Sequence, residues 1–389
     1  MQYVRGLDKF MSKTIKNIFY DKLTFDNFVS AHNRAKKQKM YKNEVLRFDL
    51  NLESNIVNLV NSIKNNTFHV GKYHSFKVYE AKERTIHALP YRDRIVHQWY
   101  VEEFVKPYIM PKFISSTFAC LPDRGTHKSA LCLQKMMRKY QVNHKDYYIL
   151  KCDIKKYFYS IDTNILFNIL KKYISDKALL KFTYQLIFEN RPFPTSVGIP
   201  IGNYTSQYFA NIYLNELDQF IKRTLRIHYY VRYMDDFVLL CENKESAIKL
   251  KETIQDFLTQ NLHLELNQKS RYYPCKMGVN FCGYRIFPTH LLLRNSSKKK
   301  IHRNIKKWNK KYKEHTLNIF HTMQQFNSWR GHASHCNSYN LEKRMIEKCD
   351  FLLNNRASEQ MYNNLIEDSQ KYHCEEDINN NDNNSNKTQ

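Results

Sequence analysis

The sequence predicts an α+β protein, and three observations carry that prediction. Two β runs, Tyr229-Tyr230-Val231-Arg232-Tyr233-Met234 and Phe237-Val238-Leu239-Leu240-Cys241, are separated only by Asp235-Asp236, which leaves room for a tight hairpin turn and nothing longer. A third apolar run, Tyr147-Tyr148-Ile149-Leu150-Lys151-Cys152, stops at Asp153. Around them lie stretches of helical spacing, of which Ile301, Ile305, Trp308 and Tyr312 are the clearest.

Taken in order, residues 1–75 alternate polar stretches with apolar positions such as Leu50, Leu52, Ile56, Val57, Leu59 and Val60, and predict helices with connecting loops. Phe76, Val78 and Tyr79 precede Lys82, Arg84 and Ile86, a pattern that fits a hairpin with a basic tip or flank. Such a hairpin can grip phosphates, or it can be a solvated charged turn. The run 147–152 reads as a buried strand presenting Asp153 at its end, followed by Ile154, Lys155, Lys156, Tyr157, Phe158 and the turn-prone Ser160. A helical stretch is expected over about 164–190. Val197-Gly198-Ile199-Pro200-Ile201-Gly202-Asn203 then makes a loop into a helix carrying Phe209, Ile212, Tyr213 and Leu217. After the hairpin come an expected helix at about 244–260 and a short strand pair over 279–286. The chain then turns basic and helical, with Ser296 or Ser297 as N-cap and Lys and Arg on the faces away from Ile301 and Trp308. From about Glu375 it is acidic and then Asn-rich without apolar periodicity, which predicts disorder.

At 389 residues, 42% hydrophobic and 14% aromatic, the chain can build a substantial core without disulfides. Only 8 Gly and 9 Pro, with no Gly/Ser linker before residue 350, argue for one continuous multi-subdomain body. Lys and Arg total 62 against 37 acidic residues, a net charge of +25 that calls for a polyanion partner, nucleic acid first. No apolar run is long enough to span a bilayer and no signal-peptide core follows Met1, so the expectation is a soluble, cytoplasmic protein with no membrane partner. Nine cysteines, scattered without a CxxC, read as reduced and mostly buried. His332, His335 and Cys336 lack a second pair at ligand spacing and read as a polar loop or helix face, not a zinc site.

The chemistry lies in the acids. Adjacent ionised carboxylates at the tip of an apolar hairpin repel each other and need a cation beside them; Mg2+ is the natural guest, with Mn2+ as a substitute. Asp153 completes the site if its strand lies beside the hairpin in one antiparallel sheet. Three carboxylates then bridge two hard cations, an arrangement suited to activating a 3′ hydroxyl and stabilising a leaving pyrophosphate. An isolated Asp-Asp is explained equally well as a turn, so the surrounding residues decide.

Those residues resemble the ordered motifs of reverse transcriptases. Tyr233-Met234-Asp235-Asp236 resembles the family's YxDD box, and Leu150-Lys151-Cys152-Asp153-Ile154-Lys155-Lys156-Tyr157-Phe158 its first aspartate motif. The resemblance implies a right-hand polymerase fold: an N-terminal helical extension over 1–75, fingers and palm with an antiparallel sheet over 76–295, a basic helical thumb over 296–354 and a disordered tail over 355–389. It implies an RNA-directed DNA polymerase with Asp153, Asp235 and Asp236 catalytic and metal-holding, Ile154 counted among the metal residues, and deoxynucleoside triphosphates, an RNA template and an RNA/DNA duplex as partners. Lys269, in Leu266-Asn267-Gln268-Lys269, resembles the motif lysine that gives a proton to pyrophosphate. Lys82 and Arg84 resemble the pair holding the incoming triphosphate, Phe158 the gate against a ribose 2′ hydroxyl, and Phe281-Cys282-Gly283-Tyr284 the primer grip. On such a thumb, Lys298-Lys299-Lys300 and Lys306-Lys307 read as phosphate contacts.

One departure sharpens the resemblance. Most of the family carries Gln-Gly in the loop under the template base, whereas this chain has Ile201-Gly202. The loop Gly198-Ile199-Pro200-Ile201-Gly202-Asn203-Tyr204-Thr205-Ser206-Gln207 is similar to that of diversity-generating retroelements, which copy a template repeat with frequent errors opposite adenine. Arg124-Gly125-Thr126-His127, Gly283 to His290 with Leu293-Arg294, and Ser328-Trp329-Arg330-Gly331-His332-Ala333 resemble segments of the same subfamily. That likeness implies a structured template RNA and a small basic accessory protein. No maturase or endonuclease region follows the basic helices, which argues against a complete mobile-intron protein. Phage-defence, retron-like and group II intron-like reverse transcriptases stand as the alternative, and a non-catalytic RNA-binding scaffold as a third reading, opposed by the three intact acids.

Overall fold

A computed structural model describes residues 14–79 and 83–353. The tail expected over 355–389, the first residues of the chain and Lys82 lie outside the described residues. Among those described, the strands are β1 (His74–Tyr79), β2 (Glu83–Ala88), β3 (Tyr148–Asp153), β4 (Tyr230–Tyr233), β5 (Asp236–Cys241), β6 (Arg271–Pro274), β7 (Val279–Phe281), β8 (Tyr284–Ile286) and β9 (Leu291–Leu293), set among helices. β1 and β2 form an antiparallel hairpin with Val78 opposite Arg84. A four-stranded sheet has the order β4-β5-β3-β6, and β7-β8-β9 form a separate antiparallel sheet. The class is α+β. β3 thus lies next to β5, as a shared site requires, and the expected 279–286 pair gains β9 as a third strand.

The chain divides into two compact units, one made of residues up to Pro122 with 151–239 and 248–271, the other of 123–150, 240–247 and the chain from Tyr272 onward. In the first, most of the apolar spacing read at 50–60 folds into helix Leu52–Lys64, which buries Ile56, Leu59 and Ile63 and leaves Val57 exposed, while Leu50 ends the preceding helix and is exposed. The core is aromatic: the Trp99 ring lies 4.8 Å from Phe28, 5.2 Å from Phe104 and 5.7 Å from Phe182, mostly edge to face. The helix expected over 164–190 is two helices, Thr163–Lys171 and Lys177–Phe188. Asp176 breaks it. One oxygen caps the second helix by accepting from Leu179 N–H at 3.1 Å, while the other accepts from Ile18 and Phe19 N–H. Helix Tyr204–Gln219 buries residues on every side, polar ones included, and forms the spine of this unit.

In the second unit, helix Asn295–Lys313 buries Ile301, Ile305 and Trp308 against Met323, Phe326, Met345 and Phe351, with Tyr312 partly covered. The expected stripe is there, but the expected cap is not. Arg294 occupies the N-cap position, without a side-chain cap bond, and Ser296 and Ser297 fall inside the first turn. The helix follows β9 at once, and Arg294 N–H is already donated to Gly283 O at 3.1 Å, so the chain turns before either serine can cap it. Among the described residues no helix is long and apolar enough to cross a membrane, and the described cysteines are thiols, as the scattered spacing without a CxxC predicts.

Candidate active site

The β4–β5 register pairs Tyr233 with Asp236. The two-residue turn is therefore Met234-Asp235, not Asp235-Asp236, and Asp236 is the first residue of β5. Met234 takes up φ 55, in the left-handed region that side chains avoid, and this places the strain of the turn beside the first acid. The one-residue shift separates the two carboxylates: Asp235 sits at the tip and Asp236 in the sheet.

Asp153 ends β3, and the 265–270 segment grips it. Asn267 N–H donates to Asp153 O at 2.7 Å, Asn267 Nδ2 donates to Asp153 Oδ2 at 2.9 Å, and Asp153 N–H donates to Ser270 Oγ at 3.1 Å. Lys155 N–H donates to Glu265 O, so the Ile154↔Leu266 bridge is the kind in which Ile154's own N–H and C=O point away from its partner. Ile154's side chain is buried and its carbonyl is not used by that bridge.

Asp153 acts on both hairpin acids. Burial pushes the Asp235 carboxyl up to about 6, the negative charge of Asp153 adds to this, and Arg232 and Arg84 pull it back. Burial also pushes Asp236 up to about 6, against Lys151, whose ammonium lies 3.1 Å from Asp236 Oδ2; Asp153 and Asp235 push the same way as burial. The other oxygen, Asp236 Oδ1, is buried without a hydrogen-bond partner. Among the described residues no three His, Cys, Asp or Glu side chains form a ready-made metal cage. What is present is a set of mutually repelling, partly desolvated carboxylate oxygens, one of them orphaned, which is a donor set that fits a hard divalent cation.

Arg84, exposed on β2, is within electrostatic reach of Asp235. The loop before the spine helix is fastened to the same strand, for His87 N–H donates to Ile201 O at 2.9 Å. Gly202, at φ 123, brings its backbone so close that a Cβ would lie 3.0 Å from Ile86 Cγ2 and 3.1 Å from His87 O, which only glycine permits. Ile199 N–H donates to Phe158 O at 2.8 Å, so the half-buried Phe158 is tied to the loop as well. Lys269 is exposed on the turn after Asn267, its N–H donating to Asn267 Oδ1 at 3.0 Å. The structure thus gathers Asp153, Asp235, Asp236 and Arg84, links Phe158 and Ile201-Gly202 to Arg84's strand, and leaves Lys82 outside the described residues.

Three polar partners went unnoticed in the sequence. Lys151 was readable, since it lies two residues before Asp153 on the same strand face. Asn267 sits inside a motif singled out for its lysine. Arg232 gave no signal; inside a β run it would be taken for a solvent-facing residue, yet it is wholly buried, with Nε and Nη2 donating to Asp218 Oδ1 and Oδ2 at 2.8 and 2.6 Å.

Residues 72–286, more than half of the chain, match the family described as reverse transcriptase (RNA-dependent DNA polymerase), and the chain belongs to that family. Its fold is the right-hand polymerase type, with mixed helices and antiparallel sheets. The COX1/OXI3 intron 2 protein of Saccharomyces cerevisiae is 25% identical over 201 residues, covering 36% of this chain and 24% of that protein. The group II intron-encoded protein LtrA of Lactococcus lactis subsp. cremoris is 21% identical over 305 residues, 60% of this chain and 50% of that one. The chain therefore spans half or less of the length of these curated relatives. Among solved structures, telomerase from Candida albicans in complex with the TWJ fragment of telomeric RNA is similar, with 10% identity, coverage of 79% of this chain and 67% of that one, and a TM-score of 0.43.

Proposed function

We propose that this chain is an RNA-directed DNA polymerase whose site is built on Asp153, Asp235 and Asp236. The observation that carries the reading is the mutual electrostatic action of Asp153 and the two hairpin acids across neighbouring strands, with Arg84 in reach. The acids, with the Ile154 carbonyl, would hold Mg2+, or Mn2+ in its place; when bound, the ions lower the cost of deprotonating a 3′ hydroxyl and neutralise the leaving pyrophosphate. Arg84, with Lys82, binds the triphosphate of the incoming deoxynucleotide, and Phe158 excludes a ribose 2′ hydroxyl. Ile201-Gly202 packs under the template base, and Lys269 supplies a proton to pyrophosphate. In this reading 76–295 is fingers and palm, 296–354 the thumb that follows the RNA/DNA duplex, and 1–75 a helical extension.

Within the family we infer a diversity-generating retroelement enzyme, error-prone opposite adenine, working in the cytoplasm with its template RNA and a small basic accessory protein. Ile201 supports this, because an apolar side chain cannot make glutamine's polar contacts. Also in support, three segments that resemble the subfamily converge on one hydroxyl: Tyr284 Oη is 2.5 Å from His127 Nδ1 and 3.1 Å from His332 Nδ1. The curated relatives are intron proteins, which favours a group II intron-like enzyme as the second reading.

Primer extension on an RNA template with Mg2+ and deoxynucleotides, comparing the wild type with Asp235→Ala and sequencing the product, tests both levels. Extension that the variant loses, with errors opposite adenine, is the expected result. Faithful extension would move the chain to the intron-like or defence reading, and no extension even with native RNA and the accessory protein would sink the polymerase reading.

A further inference from the structure

This inference rests on the polymerase reading and concerns what aims its carboxylates. Arg232 stands in β4 with its side chain fully buried (0% exposed). A guanidinium has five N–H donors and no acceptor, so burying it is costly unless they are met. Asp218 takes the bidentate pair, and its Oδ1 also accepts from Tyr230 Oη at 2.7 Å. Arg232 Nη1 donates to Asn211 Oδ1 at 3.1 Å and to Met234 O at 3.0 Å. Asp218 and Asn211 belong to the spine helix Tyr204–Gln219, and the Arg232 backbone is clamped as well, its N–H donated to Ser116 O and its carbonyl accepting from Phe118 N–H, each at 3.0 Å.

The bond to Met234 O singles this network out. That carbonyl belongs to the peptide that carries Asp235, and Met234 is in the strained conformation described above. Core stability alone does not need an ion pair here, since buried pairs replaced by well-packed apolar residues are often neutral or stabilising. A directional donor to a single carbonyl is what an apolar residue cannot supply. We propose that Arg232, anchored by Asp218, is a positioning residue for nucleotidyl transfer: it holds the Met234 carbonyl and thereby sets where the Asp235 carboxylate stands relative to Asp153.

Removing the arginine alone would strand Asp218 as a buried charge and unfold the protein for an uninformative reason. The test is therefore the triple variant Asp218→Leu/Tyr230→Phe/Arg232→Met, which removes the buried ion pair with the phenol bonded to it and leaves Asn211 Oδ1 and Met234 O without their arginine donor, beside Arg232→Lys, which keeps the charge and loses the fork. The triple variant is expected to melt cooperatively within about 5 °C of the wild type. Its kcat in primer extension should fall about a hundredfold, with the deoxynucleotide KM held within about threefold. Mn2+ binding to the protein without nucleic acid, read by electron paramagnetic resonance, should weaken about tenfold, and Arg232→Lys should fall between. Wild-type kcat and wild-type Mn2+ affinity in a folded variant would overturn the proposal; should the triple variant not fold, Arg232→Lys decides by the same two readouts. A wild type that binds Mn2+ but never extends a primer would instead overturn the polymerase reading, leaving the Mn2+ comparison to judge Arg232.

Discussion

Strand β4 and helix Asn295–Lys313 both carry charge, and they hold it in opposite ways. In β4 the charge is inside: Arg232 and Asp218 are buried and bonded in fixed directions, and the acids beyond them are partly desolvated. On the helix the charge is outside, on lysines that need only an apolar stripe, Ile301, Ile305 and Trp308, to fasten the backbone beneath them. Charge that must meet a reacting atom is aimed by buried directional bonds. Charge that need only be near a phosphate can stay on solvated, flexible stems.

The sharpest way to break the contrast is to remove an aimed charge. On the proposed reading, Asp235→Asn should lower primer extension by more than about a thousandfold, since an amide cannot replace an ionised carboxylate beside a divalent cation. Its melting temperature should not fall, because burial and Asp153 already disfavour that charge; a variant that loses activity only by unfolding would contradict this. On the helical side, Phe326→Ala opens a cavity at a fully buried ring and should cost about 3–5 kcal/mol in denaturant unfolding. A smaller effect is set by pH. His97 is buried with its Nε2 unpartnered, and burial holds its imidazole down to about 4. Above pH 6.5 it is neutral folded or unfolded and contributes nothing; as pH falls from 6.5 toward 4 the unfolded chain takes the proton first. His97 should therefore withdraw about 3 kcal/mol of stability over that window, a contribution read as the difference between the wild-type and His97→Gln equilibrium unfolding curves at each pH. Smallest of all, Lys306→Ala should shift stability by less than about 0.5 kcal/mol while lowering the salt slope of duplex binding by about one.

The same contrast separates what was legible in the sequence from what was not. The helix stripe was readable because its partners repeat within a few residues of one another, and the hairpin because a β run interrupted by two acids has few alternatives. The turn register was missed by one residue, since a contact that accompanies it, the backbone clamp between Arg232 and 116–118, comes from a part of the chain far from the run. The break at Asp176 and the absent serine cap likewise depend on distant backbone groups, Ile18 in one case and Gly283 in the other. Lys151 and Asn267 sat inside motifs already singled out, but their partners are contributed by other strands and loops.

Every residue of the spine helix from Tyr208 to Asn215 is buried, so the hydrogen exchange of those amides should require opening of the whole first unit and be among the slowest in the protein. The hairpin bolted to it through Asp218 and Asn211 inherits that stiffness, and on the proposed reading its carboxylates should hold their spacing through many cycles of substrate arrival and product departure.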